Sequence, residues 1–339
     1  MFCLWYAHTI ISNEYVYPVA NLDDNTILMM HQKSLDELEL FALDTTTHTK
    51  QKMLSSLYFP AHVCLMPNKK GYSFIDRGRI YIKDLLKRTP RSIDIYQSIC
   101  DIQSVQWIND NQLIFSAKFK NRYKICMYDV THDQGQLYSL CSLHDDINYI
   151  FPSAVDQENL FCLTQHDGSE FYQVTRMKIE PTLWEHALKN KEKECNKEII
   201  PLEHHKPLCF LKMMDLTTGY VLEMTQHNHE NKIFSFKVYK IDIPNTQLQE
   251  LFKFDIPEKF IIGSEQERFY ESLYPLLPTY QHDKIYFTNF DQESEKLKLY
   301  IYELDTHQIF VYPTHKNLVS KHTFGSLLVN ENLYFGQSL

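Results

Sequence analysis

Short apolar runs, each broken by a few turn-forming polar residues and then resumed, fill the chain. The clearest stretch is Ser104 to Asp129, SVQWINDNQLIFSAKFKNRYKICMYD, which predicts strands over 104–108, 112–117 and 123–128. Its turns fall at Asn109-Asp110-Asn111 and around Lys120-Asn121-Arg122. Asn and Asp suit such turns because their side chains bond the local backbone. The opening hairpin of this phrase recurs from Tyr17, Ala61, Phe151, Phe210, Tyr274 and Gly325, and repetition makes the signal stronger than any single copy. A third strand follows in six copies and closes on an acid: Asp44, Asp84, Asp129, Glu180, Asp242 and Asp305. In the last copy Leu297, Leu299 and Ile301 face one way and Lys298, Tyr300 and Tyr302 the other, the period of a strand. A weaker fourth strand follows at 51–57, 92–96, 136–142 and 308–312.

The closing acids lie 40, 45, 51, 62 and 63 residues apart. A four-stranded unit repeating at about 40–50 residues has the period of a propeller blade. A lone blade cannot bury both faces, whereas a closed set of them can. A β-sandwich is the alternative, and it need not repeat one phrase so regularly. The segments ELELFALDTTTHTKQ and KLYIYELDTHQIFVY resemble the third-strand motif of TolB-like, quinoprotein-like and WD-repeat β-propellers, in which an aromatic-rich strand runs into Asp-x-x-Thr-Gly. The usual Gly is replaced by His48 in the first copy, and no Trp-Asp ending or kelch double Gly is present. The expectation is an all-β, seven-bladed β-propeller of four-stranded antiparallel blades, forming a single domain over 1–339. A strand over 2–7 is expected to join the last hairpin and close the ring.

Two segments exceed the repeat. Pro181 to His205 interrupts the fourth unit. Thr182 and Glu185 have the spacing of a capping box, and Leu183, Trp184, Ala187 and Leu188 make a short apolar stripe, so a surface helix is predicted from about Leu183 to Lys193. Trp184 either docks on its own domain or is offered to a partner. The second segment, Ile256 to Glu271, carries Phe260 and Phe269 as further candidate binding residues.

Composition narrows the function classes. With 22 Tyr and 21 Phe the chain suits a β-rich fold, and with only 8 Gly its turns must draw on Asn, Asp, Lys and His. A net charge of −9 with no long basic block argues against nucleic acid as the partner. Most of the eight cysteines sit inside apolar strands with no CxxC spacing, which reads as buried thiols in a reducing, cytoplasmic setting; the even count leaves disulfides as the alternative. The opening MFCLWYAHTII has no basic segment, and no apolar run approaches the roughly 20 residues of a membrane span.

Candidate chemistry gathers in loops that join His to acids: His144-Asp145-Asp146, His166-Asp167, Glu203-His204-His205 and His227-x-His229-Glu230. His beside carboxylates suits acid–base work or a divalent cation. His144, Asp145, His166, Asp167, His227 and His229 are the candidate catalytic residues, and His144, His166 and His229 the alternative metal ligands; otherwise these are solvated turns. No cofactor is expected, and a divalent metal remains an alternative. No phosphate loop, G-x-S-x-G elbow or H-E-x-x-H occurs. The six closing acids read as turn-formers. Two functions remain: a scaffold for protein partners, or a propeller-type hydrolase, lyase or lactonase working at the channel mouth.

Overall fold

The structure, a computed structural model, describes residues 15–22, 25–32, 38–44, 47, 49–56, 61–76, 79–84, 91–93, 99–131, 135–166, 168–169, 172–190, 195–202, 208–228, 232–258, 278–280, 283–311, 323–329 and 332–338. The first set of described strands is β1 (Tyr15–Asn21), β2 (Thr26–Gln32), β3 (Leu38–Asp44) and β4 (Lys50–Ser56). A second set follows as β5 (Ala61–Leu65), β6 (Gly71–Asp76), β7 (Arg79–Asp84) and β8 (Arg91–Ser92). The third is β9 (Ile99–Trp107), β10 (Gln112–Phe119), β11 (Arg122–Asp129) and β12 (Gln136–Ser139). The fourth is β13 (Ile147–Ala154), β14 (Asn159–His166) and β15 (Gln173–Lys178); then come β16 (Thr182–Leu183), helix α1 (Trp184–Lys189) and β17 (Lys197–Ile199). The fifth is β18 (Leu208–Met213), β19 (Thr218–Asn228), β20 (Ile233–Asp242) and β21 (Gln247–Pro257). The sixth is β22 (Thr279–Tyr280), β23 (Lys284–Asp291), β24 (Lys296–Glu303) and β25 (Gln308–Val311); β26 (Thr323–Val329) and β27 (Asn332–Ser338) end the chain.

Six of the seven expected hairpins are present as pairs of neighbouring strands; in the one expected from Tyr274 the first strand is the short β22, at positions expected to turn, and 274–277 lie outside the described residues. The expectation of seven four-stranded blades nevertheless fails: the described strands form six sheets, of six, five, four, four, four and four strands. The last hairpin builds no blade of its own. The outer edge of β27 pairs with the open edge of β1, with Tyr15 opposite Ser338 and Val16 opposite Gln337. The first sheet therefore runs β26-β27-β1-β2-β3-β4. The closing strand expected over 2–7 lies outside the described residues.

The other departure from four strands comes from the insertion. Leu183 and Thr182 pair with Tyr138 and Ser139, so β16 extends the third sheet to β16-β12-β11-β10-β9. The same pairing corrects the predicted helix. Thr182 is committed to a strand and cannot cap; α1 starts at Trp184, takes Leu183 as its N-cap with no side-chain cap bond, and ends at Lys189.

Turn chemistry follows the sequence reading. Oδ1 of Asp44, Asp129 and Asp242 accepts the amides of Thr47, Thr131 and Asn245 at 2.8, 2.9 and 3.2 Å. Left-handed backbone, normally a glycine conformation, falls instead on Lys69, Lys120, Asn121, Lys232, Thr246, Glu295 and His307. The predicted alternation in β24 holds for Leu297 and Leu299, which are buried, but Tyr302 is buried as well. Its hydroxyl meets His307 Nδ1 at 2.7 Å, so the ring packs while its polar end is satisfied.

The chain divides into two compact units. One gathers Met1–Leu65, His227–Ser235 and Phe254–Leu339; the other gathers Met66–Gln226 and Phe236–Lys253. The first has a core cluster of Ile27, Met29 and Phe41 with Leu43 packed on it. The second has a larger one, in which Ile114, Ile125, Met127, Leu140, Cys141, Tyr149, Leu160 and Cys162 meet.

Within the second unit, side chains of one sheet bond the next. Trp107 Nε1 donates to Ser73 Oγ at 3.0 Å, and the Gln106 amide both donates to and accepts from the Ala154 backbone, at 3.2 and 3.1 Å. Ser153 Oγ accepts the Met213 amide at 3.0 Å. The first strands β9, β13 and β18 are bulged against their partners, and at two of these bulges Ser104 and Phe151 have positive φ. Bulges bend a strand and re-aim its side chains.

Candidate functional site

The third and fourth sheets meet around a lysine. Lys124 occupies an inward position of β11 and has only 1% of its side chain exposed. A buried ammonium is costly unless it is paired and fully hydrogen-bonded. Here the connection from β12 to β13 wraps it. Lys124 Nζ donates to the carbonyls of Asp145 and Ile147 at 2.8 and 3.0 Å and pairs with the Asp145 carboxylate at 2.5 Å. The second carboxylate oxygen accepts the Tyr149 hydroxyl at 2.7 Å. Lys197, on β17, donates to the same phenolic oxygen at 3.0 Å. Both ammonium groups approach the Tyr149 ring, at 5.5 and 5.4 Å from its centre, where the negative face of the ring attracts cations. Burial first, then the neighbouring Cys141 and Asp145, keeps the Tyr149 phenol protonated far into the alkaline range.

This arrangement sets what Asp145 does. Both of its oxygens are engaged, one by Lys124 and the Ile147 amide, the other by Tyr149. The carboxylate thus links the third sheet, through Lys124, to the fourth, through Tyr149. His144 is tied in a similar way: Nε2 lies 3.0 Å from the carbonyl of Leu188 in α1, so that nitrogen carries the proton. His166 ends β14 opposite Ile147 and is exposed. The β13–β14 register thus brings His144, Asp145 and His166 to one end of a hairpin, with two of the three side chains already bonded. Asp167, His229, Phe260 and Phe269 lie outside the described residues, and for His227 only the β19 backbone is described. Among the described residues no group of three or more His, Cys, Asp or Glu is placed to hold a metal ion.

Trp184 is 1% exposed, with its ring edge-on to Phe119 at 5.4 Å. Its area is taken up by its own sheet. The large apolar side chains that do reach solvent are on the outer strands. Leu183 lies on β16, Ile199 on β17, and Ile309, Phe310 and Val311 on β25, with Met214 and Leu216 in the β18–β19 turn. The β25 run is the densest: 48, 43 and 54% exposed at three successive positions, on the terminal strand of its sheet. Sequence reasoning took Gln308–Tyr312 only as a weak fourth strand. The available signal was an Ile-Phe-Val run with no polar alternation, which a strand with one packed face and one wet face would show.

No family model and no curated protein matches the sequence. Solved structures do match. The chain is similar to TolB from Acinetobacter baumannii, at 12% identity and a TM-score of 0.53, over 99% of this chain and 66% of that one. It is similar to an oligogalacturonate lyase in complex with manganese, at 9% identity and a TM-score of 0.58, over 96% and 90% of the two chains. It is also similar to the β-propeller domain of the Trilobed protease from Pyrococcus furiosus, at 10% identity and a TM-score of 0.57, over 97% and 90%.

The fold is a β-propeller.

The likeness to TolB-like proteins read from the third strands therefore holds at the level of architecture. The chain spans about two thirds of the TolB chain it matches, 66% of its length. In this β-propeller the polar network around Lys124 ties two blades together, while exposed apolar side chains among the described residues lie on outer strands such as β25. No helix among the described residues is long and apolar enough to cross a membrane.

Proposed function

We propose that this β-propeller is an interaction scaffold, and that a partner protein adds an extended, apolar segment to the outer edge of β25. The observation behind the reading is the exposure of Ile309, Phe310 and Val311 in succession on the last strand of a sheet. A sheet edge presents a row of backbone donors and acceptors, and proteins usually blunt it with charge, proline or a covering element. The third sheet does this, its β12 edge being covered by β16. The four described residues of β25, Gln308–Val311, carry neither charge nor proline, and strand addition with alternate side chains in contact is an established way of binding peptides. A reducing, cytoplasmic compartment fits the absence of disulfides among the described cysteines.

The test is quantitative affinity purification with the intact protein and with Ile309→Lys/Val311→Lys. A stoichiometric partner lost with the edge charged, while the melting temperature is kept, supports the reading. Self-association abolished by the same change would make a second copy the occupant, and a partner retained would move the interface elsewhere. The enzyme reading, a hydrolase, lyase or lactonase, has fold similarity to the oligogalacturonate lyase and to the propeller domain of the Trilobed protease as its support; the His144 and Asp145 side chains it would use are engaged within the blades.

A further inference from the structure

Three cysteines, Cys141, Cys162 and Cys195, lie in or against the core cluster between the third and fourth sheets, and two of them belong to segments far apart in sequence. Cys141 follows β12 and is buried; its Sγ accepts the Ile125 amide at 3.3 Å. Cys195 lies between α1 and β17, is partly exposed and packs on the same cluster. The Ser142 amide donates to Cys195 Sγ at 2.8 Å. Ser142 is the residue after Cys141. Covalent geometry holds Cys141 Sγ within about 5 Å of that amide nitrogen, which places the two sulfurs no more than about 8 Å apart, and both pack in the same cluster. Two other thiols are less suited. Cys126 is buried on β11, and Cys162 is engaged with Met177 Sδ at 3.6 Å.

We propose that Cys141 and Cys195 form a reversible disulfide under peroxide, clamping the helical insertion to the third sheet. Cys195 reacts first. It is the partly exposed member, so peroxide reaches it before the buried Cys141, and the Ser142 N–H donated to its sulfur holds that sulfur beside the Cys141 segment. The thiolate attacks one oxygen of hydrogen peroxide; the O–O bond breaks, hydroxide leaves and takes up a proton, and Cys195 becomes a sulfenic acid. Cys141 sulfur then attacks the sulfenic sulfur, its proton leaves with the departing hydroxyl as a second water, and the S–S bond forms. Two thiols are oxidised by two electrons and one peroxide is reduced to two waters. Burial pushes the Cys141 thiol up to about 12, so the second step is slow at neutral pH and accelerates as pH rises.

The clamp has a mechanical consequence. The insertion already touches the segment after β12 at two points, Leu188 through His144 and Cys195 through Ser142. A covalent bond there fixes α1, and with it β16 on the outer edge of the sheet.

The experiment treats the full-length protein with hydrogen peroxide, blocks remaining thiols by alkylation and maps peptides by mass spectrometry, with hydrogen exchange followed in parallel. The expected result is a Cys141–Cys195 cross-link reversed by dithiothreitol, absent in Cys195→Ser, with slower exchange of the α1 amides in the oxidised protein. Cys195 driven to sulfinic acid while Cys141 remains alkylatable would overturn the proposal. So would a dominant cross-link to Cys126 or Cys162, or no oxidation at peroxide doses that modify the exposed Cys100. If Cys195→Ser does not fold, the wild-type cross-link map decides alone.

Discussion

Lys124 and Asp145 form an ion pair in which the lysine is almost wholly buried and the carboxylate is 24% exposed. Removing one member of such a pair strands the other, whereas removing both is far less costly. Asp145→Ala is expected to destabilise the protein by about 3 kcal/mol, at the low end for a buried pair because the site is partly wet. Lys124→Met should cost less, since Asp145 keeps Tyr149 and the Ile147 amide. The double variant should fall short of the sum by about 1–3 kcal/mol, as residues in one network do. Urea unfolding of the four proteins measures this. Additive losses would mean that the pair is not coupled.

Trp184 fills its site between α1 and Phe119. Trp184→Ala should cost about 3–5 kcal/mol if α1 and the sheet unfold together. A smaller global loss, accompanied by fast exchange confined to the α1 amides, would mean that the insertion unfolds locally. Hydrogen exchange with mass spectrometry separates the two.

Acid stability has an identifiable contributor in the β18–β19 turn. The Thr217 hydroxyl and then the Thr217 amide donate to Asp215, holding its carboxyl below the usual range. A depressed folded-state value stabilises the protein above the unfolded carboxylate value, and that contribution is lost as pH falls through the folded one. Thr217→Val removes the larger donor, so the Asp215 carboxyl should titrate at higher pH, read by NMR. The side chain is exposed, so the melting temperature at neutral pH should hardly move.

Thr246 occupies left-handed backbone in the β20–β21 turn, a strained setting for a β-branched residue. Its amide bond to the Ile243 carbonyl does not depend on the side chain. Asn tolerates this conformation without adding the chain entropy of Gly. Thr246→Asn is expected to stabilise by about 0.5–1 kcal/mol, measured by thermal unfolding; destabilisation would show that the threonine hydroxyl is used.

What was legible in the sequence was local. Asn109, Asp129 and Asp242 bond amides two or three residues away, so turn, strand and repeat can be read from neighbours alone. What escaped was decided between distant segments. Nothing near Thr182 shows that Ser139 will claim it for a strand, which is why a well-spaced capping box fails. Lys124 reads like any strand lysine until the 144–149 segment folds over it. The blade count depends on Val16 meeting Gln337, a pairing that no local pattern encodes. Of the proposed site residues, Asp145 and His144 were found by composition, but their partners Lys124 and Leu188 were not.

Residue 15 lies opposite residue 338 in the first sheet, so the pairing spans nearly the whole chain. During synthesis at about 5–20 residues per second, the open edge of β1 waits tens of seconds for its partner strand. The blades between can form as they emerge, but the first sheet cannot be completed until β27 has been made. A nascent chain of this protein therefore carries the β1 edge without its β27 partner while all the strands between are made, and its natural hazards are chaperone dependence and strand exchange between neighbouring copies.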